Sequence, residues 1–183
     1  MTPFPNSLDL DAEERAALEA ALRPRSLAPG ERFILEGDVA RVGARIESGV
    51  LRYYTVRDGH EHVTGFDVEG AMVGDLASFF LGMPSGHTIE AVEPCRLSVL
   101  TYEAFEGLKS AIPALEAVRS MVAEQLWMGE RTRAAEAQQL SAEERYRRLA
   151  ERSPHLLQRV PLYHIASYLG VTPEALSRIR RRL

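Results

Sequence analysis

The sequence predicts an α+β protein with an N-terminal antiparallel β-roll of jelly-roll type, one long helix, and a small C-terminal helix-turn-helix. Three observations lead there. Between Gly30 and Leu100, short apolar stretches alternate with glycine-containing turns, which is the texture of many short strands in a sandwich or roll. From Thr101 onward the apolar spacing becomes helical. The chain closes on HIASYLGVTPEALSRIRRRL, two short helical patterns on either side of a glycine and a Thr-Pro pair.

Taken in order, Asp11-Ala-Glu-Glu14 has the spacing of a capping box and opens a helix carrying Ala16, Ala17, Leu18, Ala21 and Leu22. The strands follow as RFILE, ARIES, VLRYYTV, HVTGFDV, HTIEAV and RLSVL. They are parted by turns at Gly37-Asp38, Gly49, Asp58-Gly59, Glu69-Gly70 and Gly86. Asp58-Gly59 is the strongest hairpin signal, because a tight primed turn demands positive φ at both positions. Pro113 can start a long helix to about Gln138, with Leu115, Val118, Val122 and Leu126 as an apolar stripe that fades at Gly129 and Thr132. That stripe suits a parallel dimer seam or packing on the chain's own roll, and the length of the helix favours the seam. Ser141-Ala-Glu-Glu144 repeats the capping-box spacing and opens a helix that ends before Ser153-Pro154. The expected organisation is therefore a β-roll over 1–112, a long dimerisation and linker helix over 113–140, and a small helical piece carrying the helix-turn-helix over 141–183.

The net charge of -4 conceals an asymmetry. From Ser141 onward there are nine Arg against four Glu, while the first 140 residues carry 13 basic and 22 acidic side chains. A polyanion is expected to meet the C-terminal part and to be repelled by the body. The single cysteine, Cys95, excludes an internal disulfide framework and any thiolate cluster, and reads as a half-buried structural thiol. No apolar run approaches the roughly 18 residues of a membrane span, and Met1–Leu10 lacks the features of a signal peptide. A cytoplasmic protein without a membrane association is expected.

Gly170 is the natural stop of a helix beginning near Pro161, and Thr172-Pro173 supplies an N-cap and a first-turn proline for the next. A helix-turn-helix needs a small residue on its first helix, a glycine in the turn and apolar residues at fixed offsets. Ala166, Gly170, and the set Ile165, Leu169, Val171, Leu176 and Ile179 meet those demands. At about 100° per residue, Leu176, Ile179 and Leu183 form the buried face of the second helix. Glu174, Arg178 and Arg181 cluster opposite, flanked by Ser177 and Arg182. Arginine forks match guanine O6/N7 and phosphate oxygens, so this face has the make-up of a major-groove reader.

An acidic β-roll, a long helix and a C-terminal helix-turn-helix in this order resemble the Crp/Fnr superfamily of bacterial transcription regulators over essentially the whole chain. TPEALSR is similar to the recognition signature of the Fnr-type branch, with Glu174, Ser177 and Arg178 in the spacing E-x-x-S-R. The resemblance implies a homodimer bound to a palindromic site on double-stranded DNA through Thr172–Leu183, with Glu174 accepting from a cytosine, Arg178 reading a guanine, Ser177 assisting and a half-site core similar to TTGA. It also implies contact with RNA polymerase. Pro173 stands where the cyclic-AMP receptor branch often has a basic residue. The β-hairpin wing that commonly follows the reading helix is not expected here, and Arg180, Arg181 and Arg182 would partly replace its phosphate contacts.

For the effector, Gly74-Asp75-Leu76 looks like the family's glycine-glutamate-leucine stretch, but Gly86-His87-Thr88 stands where arginine-serine would hold a cyclic phosphate. Gly74, Asp75, Leu76, His87 and Thr88 are the candidate effector residues. A mostly neutral histidine replaces a guanidinium poorly, so the effector is expected to be a small molecule other than cyclic AMP, or the roll serves as a scaffold. No cofactor is expected, nor the cysteine cluster of iron-sulfur oxygen sensors. The competing reading is a cupin-like metal-binding roll, since His60 and His62 share a strand face near Asp67. It lacks the leading glycine of that motif and a correctly spaced later histidine, and no elbow, P-loop or zinc-protease signature suggests an enzyme.

Overall fold

The computed structural model describes residues 10–118, 120, 124 and 139–182. Helix α1 (Ala12–Ala21) begins on the expected capping box, in which the Asp11 carboxylate accepts from the amides of Glu13 and Glu14 while the Glu14 side chain returns to the Asp11 amide. Eight strands follow: β1 (Arg23–Leu27), β2 (Arg32–Ile34), β3 (Val42–Ser48), β4 (Leu51–Arg57), β5 (His60–Asp67), β6 (Met72–Gly74), β7 (Thr88–Ala91) and β8 (Cys95–Thr101). They pair antiparallel in two four-stranded sheets, ordered β1-β8-β3-β6 and β2-β7-β4-β5. Side chains alternate along the regular strands and turn one set inward, and the apolar filling includes Ile46, Leu51, Val73, Ile89 and Leu97, joined by Phe33 and Ile34 where β2 is irregular.

Turn chemistry places the strands. Asp58 and Gly59 both adopt positive φ, 53° and 75°, and set Arg57 opposite His60 at the β4–β5 hairpin. Gly49 has φ of 108°, and a Cβ there would collide with Cys95 and approach the Pro94 carbonyl to 2.8 Å. The Cys95 thiol is buried, donates toward the Val50 and Glu93 carbonyls, and is pushed up to about 11 by burial and by the nearby Glu93 charge.

Several short elements escape the periodicity in the sequence. Strand β1 is RPRSL, with only Leu27 buried, and it lies at a sheet edge where Pro24 is tolerated. Strand β6 has three residues, too few for a pattern. Helix α2 (Leu76–Leu81) is held by its caps, Asp75 at the start and a left-handed Gly82 at the end. Helix α3 (Tyr102–Leu108) then starts on the Thr101 hydroxyl.

Residues 115–118 are helical, and Leu115 and Val118 are buried in a cluster with Phe79, Leu100, Phe105 and Ile112. The start of the apolar stripe thus packs on this chain, against α2 and α3. Val122 and Leu126, on which the dimer seam rests, lie outside the described residues. The C-terminal piece consists of α4 (Ala142–Arg152), α5 (Leu156–Arg159), α6 (Leu162–Leu169) and α7 (Pro173–Arg180). Helix α4 opens on the second capping box and stops at Ser153. The core of this piece is continuous with the outer face of the roll: Val63, Phe66 and Tyr54 join Tyr146, Leu156, Ile165 and Leu176 in one cluster.

Candidate nucleic-acid interface

The two terminal helices meet through a turn whose geometry follows from its residues. Gly170 takes φ of 66°, which lets the Gly170 and Val171 amides satisfy the carbonyls of Ser167 and Ala166 at 3.0 Å each. The Thr172 hydroxyl then accepts from the Ala175 amide at 3.2 Å, and Pro173 occupies the first helical turn where its missing N–H costs nothing. Arg145 of α4 donates to the Leu169 carbonyl at 2.8 Å, which sets a cation on the C-terminal end of α6.

Leu176 is fully buried and Ile179 packs against the same cluster. On the other side Thr172, Glu174, Arg178, Arg181 and Arg182 are exposed and Ser177 is half-buried. Among the described residues, no carboxylate lies within ion-pair distance of Arg178, Arg181 or Arg182. The Glu174 carboxyl is held below its ordinary range by a hydrogen bond from its own amide, by Thr172 and by the Arg178 charge. The helix is shorter than the sequence reading of Thr172–Leu183, since it ends at Arg180. Arg181 closes it with its Nε on the Ser177 carbonyl at 3.3 Å, and the Arg182 amide bonds Ile179 in a tighter last turn. Leu183 lies outside the described residues.

The basic character of the C-terminal part is divided. Arg159, counted from sequence among the side chains facing a polyanion, turns inward and bonds Glu69 at 2.6 and 3.0 Å and also Glu93. That corrects the sequence reading: its charge is spent on the acidic roll, and Glu69 is pulled down to about 2 by the Arg159 hydrogen bonds. A second contact was invisible in the sequence. Arg52 of β4, buried, reaches Glu90 at 2.7 Å, Glu61 at 2.5 Å and the Nδ1 of His164 on α6 at 3.1 Å. Residues 112 positions apart carry no mutual signal in one sequence.

The candidate effector residues lie at the β6–α2 junction and at the start of β7. Gly74 ends β6 beside Gly43, Leu76 starts α2, and Thr88 is buried with its hydroxyl accepting from the Glu36 amide at 3.0 Å. Asp75 is occupied by its own loop: Oδ1 accepts from the Ser78 amide at 2.9 Å, and Oδ2 from the Ser85 hydroxyl and the Gly86 amide at 3.1 Å each. Burial opposes its charge, yet the Ser78 and Gly86 amides and His87 hold the carboxyl below its usual range. His87 Nδ1 lies 3.7 Å from Asp75, and its ring packs 5.1 Å from that of Tyr53, whose hydroxyl donates to Asp67. His60 and His62 are exposed, and among the described residues no group of three or more His, Cys, Asp or Glu is placed to hold a metal. No helix among the described residues is long and apolar enough to cross a membrane.

Comparison with known proteins matches residues 24–111 to the cyclic nucleotide-binding domain. Among solved structures, the catabolite activator protein of Thermus thermophilus is 23% identical, with a TM-score of 0.61 over 96% of this chain and 84% of that one. The c-di-GMP responsive global regulator CLP of Xanthomonas campestris is 20% identical, with a TM-score of 0.68 over 94% and 91%. FixK2 from Bradyrhizobium japonicum is 19% identical, with a TM-score of 0.71 over 88% and 84%. No curated protein sequence matches the chain.

Proposed function

We propose that the chain is a transcription regulator that binds double-stranded DNA as a homodimer, a reading supported by the match of residues 24–111 to the cyclic nucleotide-binding domain and by a fold similar to that of Crp/Fnr-type regulators. The observation that carries this reading is the second helix of the terminal pair. Leu176 and Ile179 pin one side of α7, and Glu174, Ser177, Arg178, Arg181 and Arg182 stand on the other, with no carboxylate among the described residues in ion-pair contact with the three arginines. A helix so anchored can enter a major groove with a hydrogen-bonding face presented to base edges. Arg178 reads a guanine, Glu174 a cytosine N4, and Arg181 and Arg182, at and beyond the end of the helix, hold phosphates. Two copies read half-sites about one helical turn apart.

The roll contributes a body and a place for an effector other than cyclic AMP. Asp75, the residue similar to the family's ribose-binding glutamate, already accepts three hydrogen bonds from its own loop, and no arginine stands at Gly86-His87-Thr88. Selection of bound sequences from a random duplex library tests the proposal. A palindrome with a core similar to TTGA is expected, and failure to enrich any sequence overturns it.

A further inference from the structure

The C-terminal piece does not hang from the roll by a linker alone. One buried cluster runs from Val63 and Phe66 on β5 to Ile165 and Leu176 on the terminal helices, with the rings of Phe66 and Tyr168 edge to face at 5.5 Å. The Ser167 hydroxyl accepts from the Val63 amide at 3.0 Å and donates to the Glu61 carbonyl at 3.1 Å, which adds α6 to the outer side of β5 through its backbone. At the centre of this seam Arg52 bonds Glu61, Glu90 and His164, and at its edge Arg159 bridges Glu69 and Glu93. A guanidinium has no acceptor, so His164 Nδ1 accepts and the ring is neutral. Burial and the Arg52 charge lower His164 to about 4, which keeps it so.

We propose that Arg52 and Arg159 are positioning residues for DNA reading: by fastening α5 and α6 to the roll, they fix the direction in which each α7 points, and with it the half-site spacing that a dimer accepts. This rests on the DNA-binding reading given above and deepens it. Neither guanidinium is free for a phosphate. Arg159 is engaged by two carboxylates, and Arg52 is buried under α6. A piece of this size has little core of its own, and the face of α6 that carries His164 and Ser167 would otherwise be exposed. The acidic excess of the body and the basic excess of the tail therefore act on one another as well as on DNA. A reader held this way pays its ordering cost on folding, and a change in the roll that moves β5 moves the reader.

The test uses the full chain in two measurements. In the first, hydrogen exchange follows the amides of Leu162–Leu169 without DNA in the native protein, Arg159→Gln, Arg159→Glu, and Arg159→Glu combined with Glu69→Arg and Glu93→Arg. Loss of the bridge is expected to speed exchange in α6 about tenfold, with partial restoration in the charge-reversed triple variant. In the second, binding is measured to the selected palindrome with its native spacer and with spacers one base pair longer or shorter. Arg159→Glu is expected to lose about fivefold or more of the discrimination between spacers while keeping the same base preference, and the triple variant is expected to regain it. Unchanged exchange and unchanged spacer discrimination in Arg159→Glu overturn the proposal. A loss of affinity at all spacers alike, not restored by reversal, assigns Arg159 to phosphate contact instead and also overturns it. Should the native chain select no duplex, the regulator reading fails, and the exchange measurement still decides whether Arg159 fastens the reader.

Discussion

Asp75 separates two roles that the sequence cannot, a ligand for an effector and a strut for its own loop. Replacing it by alanine removes the N-cap of α2, worth about 1 kcal/mol and seen in the 2.9 Å contact with the Ser78 amide. It also removes the acceptor for the Ser85 hydroxyl and the Gly86 amide. Ser85 retains the His87 carbonyl at 2.8 Å, and the exposed Gly86 amide can turn to water. These two losses therefore add only about 1 kcal/mol more. The expected total is about 2 kcal/mol, and with a urea slope of about 2 kcal/mol/M the unfolding midpoint falls by about 1 M. The assay is urea unfolding followed by circular dichroism, on the native chain and Asp75→Ala, with and without cyclic AMP. A midpoint shift under about 0.25 M would refute the strut reasoning. So would stabilisation of the native chain by cyclic AMP that Asp75→Ala abolishes, since the carboxylate would then serve a nucleotide.

Arg178→Ala is expected to cost about 1–3 kcal/mol in binding and to relax preference at one base pair, whereas Arg182→Ala weakens all duplexes alike and lowers the salt slope by about 1; parallel competition titrations at several salt concentrations distinguish them. Gly49→Ala forces a Cβ against Cys95 at a φ of 108° and is expected to cost about 2 kcal/mol or more, read from thermal unfolding. His164 sits below its unfolded value, so the folded chain binds fewer protons there. Its drag on stability is absent above about pH 6.5 and grows as pH falls toward about 4. An NMR titration of the imidazole is expected to show it neutral at pH 5.5, and His164→Gln is expected to flatten the acid limb of the stability profile.

Much of the fold was legible because local chemistry decides it. Both capping boxes, the Asp58-Gly59 hairpin, and the Gly170 and Thr172 punctuation between the terminal helices depend on residues within four positions of one another. The apolar anchors of α7 were readable for the same reason, since helical period alone places Leu176 and Ile179 together. Where pattern is absent the sequence was silent: β1 has one buried side chain, β6 has three residues, and α2 owes its existence to its caps. The site divides along the same line. Glu174, Arg178 and Arg181 could be placed on one face from spacing, but the use of Asp75 as a strut requires the loop that brings Ser85 and Gly86 to it.

By itself, then, the sequence determined six of the eight strands, the turns between them, the helix pair and the excess of arginine at its end, because each of these follows from neighbours in the chain. Only the tertiary structure decided which arginines are spent within the molecule. Arg159 meets Glu69 across 90 positions and Arg52 meets His164 across 112. Contacts of that kind depend on distance in space, which a linear pattern does not encode.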